Sequence, residues 1–265
     1  MNGIASVAAT VAAVMGLPAV KHTAPENGEV CALARERFQG QNADRVLLYN
    51  PDAVALWLYA KYGALFDGAL RVSDLAMPMM SVMPSVTPVC FASMYTGLAP
   101  IDHGIQSYTK PVLRVPTLFD ALLAAGKRVA LVSTAGDSIS MIFLERKMDY
   151  YIYDTVDEVN RKAHELVRND AHDVIVVYNG NYDTTMHKFG PESDEAMAQL
   201  RRNIDDYAAL VEAAKVHWAA HNVCYGFLPD HGCHEIDGGC GSHGLDMPED
   251  MNVIHFYGFL AAQPR

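Results

Sequence analysis

Residues 173–178 read Asp-Val-Ile-Val-Val-Tyr, an apolar run in which polar and apolar positions do not alternate. A strand of that kind has both faces buried, as in the parallel sheets of α/β proteins. Similar runs occur at 45–49 (Arg-Val-Leu-Leu-Tyr), 128–133, 223–228 and 253–259. Helical patterns fall between them: 53–62, 117–125 with a stop at Gly126, 156–168, and a long amphipathic stretch at 195–220. Strand and helix in alternation predict a largely parallel central sheet with helices on both faces. Residues 150–154 read as a small aromatic edge element. With no repeat, linker or low-complexity tract, residues 1–265 are expected to form a single α/β domain.

In open α/β sheets, ligands bind beyond the carboxyl ends of the strands. Three acids stand there: Asp52 after 45–49, Asp183 after 173–178 and Asp230 after 223–228. Asp183 is followed four residues later by His187, so one helical turn aims both at one ion; the competing reading makes Asp183 a helix cap. Asp230-His231-Gly232 adds an acid and an imidazole, and Gly241-Ser242-His243-Gly244 a third imidazole, with His234 and His255 as competitors for that role. Such oxygen and nitrogen donors suit zinc, and two ions about 4 Å apart clamp both ends of a displacement at phosphorus.

The charge balance narrows the partners. With 20 Lys and Arg against 31 Asp and Glu, the net charge of −11 excludes a broad nucleic-acid footprint. A phosphate-bearing substrate must therefore find its counter-charge at a metal site. No stretch is long and apolar enough for a transmembrane helix, so no membrane partner is expected. Five cysteines at irregular spacing are not a disulfide framework and point to the cytoplasm. Residues 4–17 are almost wholly apolar or small, with helical spacing of Ile4, Val7, Ala8, Val11, Val14 and Met15. A core helix is expected there. The alternative is a secretory leader, which would place the protein in the periplasm or outside the cell, but no Lys or Arg precedes the run and the first is Lys21.

A nucleophile is still required. The stretch 83–97 carries Ser85, Thr87, Ser93 and Thr96 before Gly97. A Thr that opens a helix is commonly a cap, yet the same geometry binds a phosphoryl group, and a metal ion can deprotonate the hydroxyl.

Pro84-Ser85-Val86-Thr87, with Ser93, Thr96-Gly97 and His103-Gly104-Ile105 beyond, resembles the nucleophile region of the alkaline phosphatase superfamily, in its type I phosphodiesterase/nucleotide pyrophosphatase branch. Asp183-x-x-x-His187 with Gly190, Asp230-His231-Gly232 and His243-Gly244 match its later motifs in order, from about Arg45 to Gly258. The resemblance implies an alkaline phosphatase-like core without a large cap. It implies two divalent ions, zinc with manganese as the alternative, one held by Asp183, His187 and His243. The other would be held by Asp52, Asp230, His231 and the Thr87 oxygen. It further implies attack by Thr87 on a small phosphate ester, a nucleotide among the candidates, with a phospho-threonine intermediate.

Three positions depart from the family pattern, and one of them, Pro88, sits one place earlier than the family's usual proline. Cys90 stands where the family has an Asn that donates to phosphate, and is either a packing residue or part of the substrate pocket. Asp52-Ala53 replaces the usual Asp-Gly. The residues around Cys90 also differ from the sulfatase pattern Cys-x-Pro-x-Arg. Cys233, His234, Cys240 and His243 could form a structural zinc site, but they lack paired Cys-x-x-Cys spacing. Tyr108, Tyr182 and Phe189 are candidates to stack on an aromatic leaving group, and Lys110 and Arg114 to meet a phosphate. Arg201, Arg202, Asp205 and Asp206 read as a solvated helix face with i,i+4 charge pairs.

Overall fold

The structure, a computed structural model, describes residues 2–18 and 23–263. Met1 and Lys21, which enter the reading of the N-terminal run, lie outside them. Ten strands are present among the described residues: β1 (Asn2–Gly3), β2 (Arg45–Pro51), β3 (Leu75–Met80), β4 (Val129–Thr134), β5 (Asp149–Tyr153), β6 (Val174–Asn179), β7 (Val223–Phe227), β8 (His234–Ile236), β9 (Cys240–Ser242) and β10 (Asn252–Leu260). Eight of them form one sheet in the order β1-β3-β10-β7-β2-β6-β4-β5, while β8 and β9 form a separate antiparallel hairpin. In the main sheet only β10 runs antiparallel to its neighbours. The expected mostly parallel α/β sheet is the observed one.

The unbroken apolar runs are explained by the two cores that flank the sheet. Val46 and Leu48 of β2 point into one, with Val174, Val176, Val129 and Leu131. Leu47 and Tyr49 point into the other, with Ile175, Val177, Ala130 and Val132. Helices Ser6–Val14, Gly28–Arg37, Thr87–Thr96 and Leu118–Ala124 cover the first face. Leu56–Lys61, Val156–Asn169 and Asp194–His217 cover the second. The N-terminal apolar run is thus a buried helix, with Val7, Ala8, Val11 and Ala12 at most 2% exposed. No helix among the described residues is long and apolar enough to cross a membrane.

Strand β3 is an element the sequence pattern does not reveal, because Leu-Ala-Met-Pro-Met-Met has little β propensity and contains Pro78. The sheet tolerates that proline because β1 pairs only with Met79 and Met80, which leaves Pro78 on an open edge. On the long helix, Arg201 and Asp205 are exposed as expected. Arg202 instead bridges Asp157 of the neighbouring helix and Asp206, and Asp206 accepts from the buried Asn160 (2.5 Å). The expected i,i+4 pair of Arg202 with Asp206 is present, and this partly exposed face also serves as an inter-helix seam.

Candidate metal centre

Strands β7, β2 and β6 are adjacent in the middle of the sheet, so the loops after them share one rim. Asp52 immediately follows β2, Asp230 lies three residues past β7, and Asp183 sits in the first turn of helix Asn181–Phe189 after β6. The cap of that helix is Gly180, not Asp183, whose carboxylate is left free to serve the site. His187 follows one turn later on the same face. His231 extends the β7 loop, and His243 comes from the loop after β9.

These side chains form two sets, Asp52/Asp230/His231 and Asp183/His187/His243, each with donor atoms within 4.8 Å of one another. His231 Nε2 lies 3.2 Å from Asp52 Oδ1 and 3.4 Å from Asp230 Oδ2. Asp183 Oδ1 lies 3.3 Å from His187 Nε2 and 3.4 Å from His243 Nε2. The sets adjoin, with the His231 and His243 rings stacked at 4.0 Å. They differ in access: the first is sealed, with side chains at most 2% exposed, whereas His187 is 42% exposed.

Each imidazole is held from behind. The Nδ1 atoms of His187, His231 and His243 face the carbonyls of Gly241, Gly232 and Ser85, each at 2.9 Å. A carbonyl only accepts, so Nδ1 carries the proton and Nε2 turns toward the site as a ligand, the usual outer-shell arrangement of metal-binding histidines. For the Gly241 contact the hairpin must seat closely on helix Asn181–Phe189; a Cβ at Gly241 would come within 2.6 Å of the Met186 carbonyl.

The carboxylates supply the test of fit. Asp52 Oδ1, Asp183 Oδ1 and Asp230 Oδ2 are buried without a hydrogen bond. Unpaired buried carboxylate oxygens beside imidazole lone pairs are costly unless a cation lies among them. Burial, reinforced by the Asp183 charge, pushes Asp52 up to about 7. Asp230 is raised well above the carboxylate range by burial and then by Asp52. Burial and the neighbouring His243 push His231 well down. Burial would raise Asp183 too, but its contacts with His187 and His243 prevail and hold it below the usual range. The Asp183 contact raises His187 to about 9; for His243 burial opposes the rise, and Asp183 outweighs it. The metal-free cluster therefore retains protons where a divalent ion would supply charge. An all-oxygen-and-nitrogen donor set fits zinc or manganese.

Thr87 is the first residue of helix Thr87–Thr96, whose cap is Val86 with no side-chain capping bond. Its hydroxyl is not used for capping. Instead Oγ1 lies 3.2 Å from His231 Nε2 and 3.4 Å from Asp52 Oδ2, beside the sealed set. The six predicted Asp and His ligands and Thr87 thus meet in one place.

Other candidates lie elsewhere. Cys90 is fully buried, its thiol beside the Ser81 hydroxyl (3.2 Å), as a packing residue would be. Cys233 faces the Tyr182 hydroxyl, His234 pairs with Asp250, and Cys240 donates to the Lys188 carbonyl, so the alternative zinc grouping does not assemble. His255 is buried against the Pro229 carbonyl. Arg114 pairs with Glu145 on the surface, and Tyr182 is buried beneath Pro191. A polar cavity of about 520 Å³ opens on Asp52 and Asp183 and is lined further by Tyr108, Lys110, Asn181 and Gln199. Phe189 does not line it. Two site contacts have no sequence signal: the Tyr178 hydroxyl donates to Asp52 Oδ2, and Ala53 adopts a left-handed φ of 64°. Ala53 thereby keeps the turn that an Asp-Gly pair makes easily, with its N–H 3.4 Å from Asp230 Oδ1.

No protein-family model and no curated protein matches the chain. Solved structures do match it. Phosphonoacetate hydrolase from Sinorhizobium meliloti 1021, in complex with phosphonoformate, superposes with a TM-score of 0.53 at 19% identity, over 74% of this chain. Human ectonucleotide pyrophosphatase/phosphodiesterase 5 gives 0.57 at 16% over 73%. Its inactive murine counterpart in complex with AMP gives 0.55 at 15% over 74%. The chain shares the fold of these structures, an alkaline phosphatase-like α/β core. The chain spans 59% of the length of the S. meliloti structure and 58% of the human one. The alkaline phosphatase-like core accounts for the placement of the acids, since its central strands end together on the rim described above.

Proposed function

We propose that the chain is a metal-dependent hydrolase of phosphate esters, a phosphodiesterase or nucleotide pyrophosphatase that acts through Thr87. The observation that carries this reading is the placement of the uncapped Thr87 hydroxyl, at the start of a helix and against one of two adjoining carboxylate–imidazole sets. Asp52, Asp230 and His231 would hold one divalent ion and Asp183, His187 and His243 the other, as zinc or manganese. Bound there, the ions supply a deprotonated nucleophile at neutral pH and charge stabilisation for the entering and leaving oxygens.

Thr87 Oγ1 gives up its proton and forms a bond to phosphorus while the bond to the leaving oxygen breaks. A phospho-threonine forms, and the leaving group, an alcohol from a diester or a phosphate from a pyrophosphate, takes up a proton where its charge requires one. Water then adds to phosphorus and releases the Thr87 oxygen, regenerating the enzyme. Tyr178 and the Ala53 N–H orient Asp52 and Asp230 throughout. The backbone carbonyls behind the three histidines keep each Nε2 in place.

The cavity favours a small polar group on the substrate. Tyr108 is its one exposed aromatic and Lys110 its one cation among the lining residues, so a nucleobase would have a single ring to stack on. A phosphomonoesterase or phosphonate hydrolase is therefore the second reading. Rates on a nitrophenyl phosphate monoester and the matching diester, with zinc or manganese, separate the two. Thr87→Ala should lower turnover by about a thousandfold or more while two ions are still taken up, because Asp52, Asp230 and His231 remain at its site. If neither ester is cleaved and purified protein takes up no metal, the chain is a binding homologue of the fold instead.

A further inference from the structure

Asp250 belongs to neither ligand set, yet its carboxylate is fully buried and spends both oxygens on the loops that carry ligands. Oδ1 is 2.7 Å from His234 Nδ1, three residues after His231. Oδ2 accepts from the N–H of Leu245 at 2.9 Å, two residues after His243. The Asp250 carbonyl accepts from the N–H of Gly232 at 2.7 Å. Between these points the chain forms the β8–β9 hairpin, with His234 paired to Ser242. Asp250 therefore sits at the open base of the hairpin and ties one stem to the other.

The two stems serve different metal sites. His231 belongs to the sealed set and His243 to the open one. Gly232 is pressed so closely to the short helix Pro248–Met251 that a Cβ there would meet the Glu249 carbonyl at 2.0 Å. That helix is in turn fastened to the nucleophile side of the site. Ser81 N–H donates to the Met251 carbonyl (2.7 Å), and the Ser81 hydroxyl donates to the Asp230 carbonyl (2.7 Å).

We propose that Asp250 is a positioning residue that closes the hairpin base and so couples the two metal sites, making the binding of one ion depend on the stem that shapes the other. This rests on the two-metal reading of the site. A ligand substitution in one set empties mainly that site. Loss of the latch lets both His231 and His243 drift and weakens both sites together. An Asn at 250 preserves the latch: its carbonyl accepts from Leu245 N–H, and its amide donates to a His234 ring in the other tautomer.

The test measures zinc bound per chain at a series of buffered free-zinc concentrations, with the melting temperature of the metal-free protein recorded in parallel. Wild type is expected to bind two equivalents. Asp250→Ala should lose affinity for both by about tenfold, the lower end of the effect of removing a partner bonded directly to a ligand, because Asp250 acts one step removed, through His234 and Leu245. Asp250→Asn should restore both, and His187→Ala should lose one. His234→Ala, which leaves the Leu245 bond in place, should weaken both sites to a smaller degree and serves if Asp250→Ala does not fold. Two equivalents bound at wild-type affinity by the Ala variants, or loss confined to one site, would overturn the latch while leaving the two-metal reading intact. A wild-type protein that binds no zinc would remove both.

Discussion

Asp52→Asn offers the sharpest test of whether this cluster is built for cations rather than for stability. Burial and the Asp183 charge raise Asp52 from 3.8 to about 7 in the metal-free protein. The folded state therefore holds that proton more tightly than the unfolded chain. Below pH 3.8 both states are protonated and Asp52 costs nothing; the penalty grows as pH rises and is complete above 7. A difference of about three units at 1.36 kcal/mol each gives a ceiling of ~4 kcal/mol at pH 8, shared with Asp230 because the two carboxyls titrate together. Asparagine removes the charge, and its amide can donate to His231 Nε2, which faces Asp52 Oδ1 at 3.2 Å. With an unfolding entropy of about 2.1 cal/mol/K per residue, metal-free Asp52→Asn should melt up to ~7 °C above wild type at pH 8. The gap should shrink to ~1 kcal/mol at pH 4.5, where Asp52 is largely protonated. Zinc should close the gap or reverse it, because one ion at a thousand times its Kd adds about 4 kcal/mol to wild type that the variant, short of a ligand at that site, loses, as much as the ceiling of its metal-free advantage. Thermal melts in chelator and in zinc, from pH 4.5 to 8.5, read all three effects. A metal-free variant less stable than wild type at pH 8, or a gap indifferent to pH, would refute the reasoning.

Other expectations follow from the same geometry. His187, raised to about 9 by Asp183, is protonated at pH 7 when metal is absent, and His243 is raised as well; binding at the open set should release about one proton from His187 plus a share from His243 there, and few above pH 10, read by calorimetry in buffers of different ionisation enthalpy. Buried His255 is lowered to about 4, so its contribution is intact above pH 6.5 and is lost as pH falls toward 4, up to ~3 kcal/mol; His255→Gln should flatten the acid limb of the stability curve. Ala53→Gly should leave zinc stoichiometry unchanged and alter stability by under ~1 kcal/mol, as relief of the left-handed strain is offset by a more flexible unfolded chain; chemical denaturation measures it.

The strands at 45–49, 173–178 and 223–228 are legible because each is buried on both faces, and burial on both faces leaves an unbroken apolar run in the sequence. Asp52, Asp183 and Asp230 are legible for a related reason: parallel strands end on the same rim, so acids just past their ends converge whatever the loops do. What fails to show is anything fixed by contact between distant segments. Strand β3 depends on the protection of β10 beside it rather than on its own residues. Asp250 reads in sequence as one more acid in Pro-Glu-Asp-Met, and only the closed hairpin makes it a tie between two loops.

Two of the departures from the pattern that the sequence resembles have unequal consequences. Ala53 stands where that pattern has glycine but takes the left-handed conformation and keeps its N–H on Asp230, so the contact is kept at the cost of strain. Cys90 replaces a donor with a thiol turned toward Ser81 and the Val82 carbonyl, within the first core and away from the cavity. Nothing at that position replaces the missing phosphate contact. A phosphoryl group at Thr87 would therefore depend more heavily on the two carboxylate–imidazole sets, because Pro88 has no N–H and those of Val89 and Cys90 are spent on the Val86 carbonyl. In this chain the discrimination between metal-loaded and metal-free states should accordingly be steep, because the charge that a neutral donor would have shared must come from the ions.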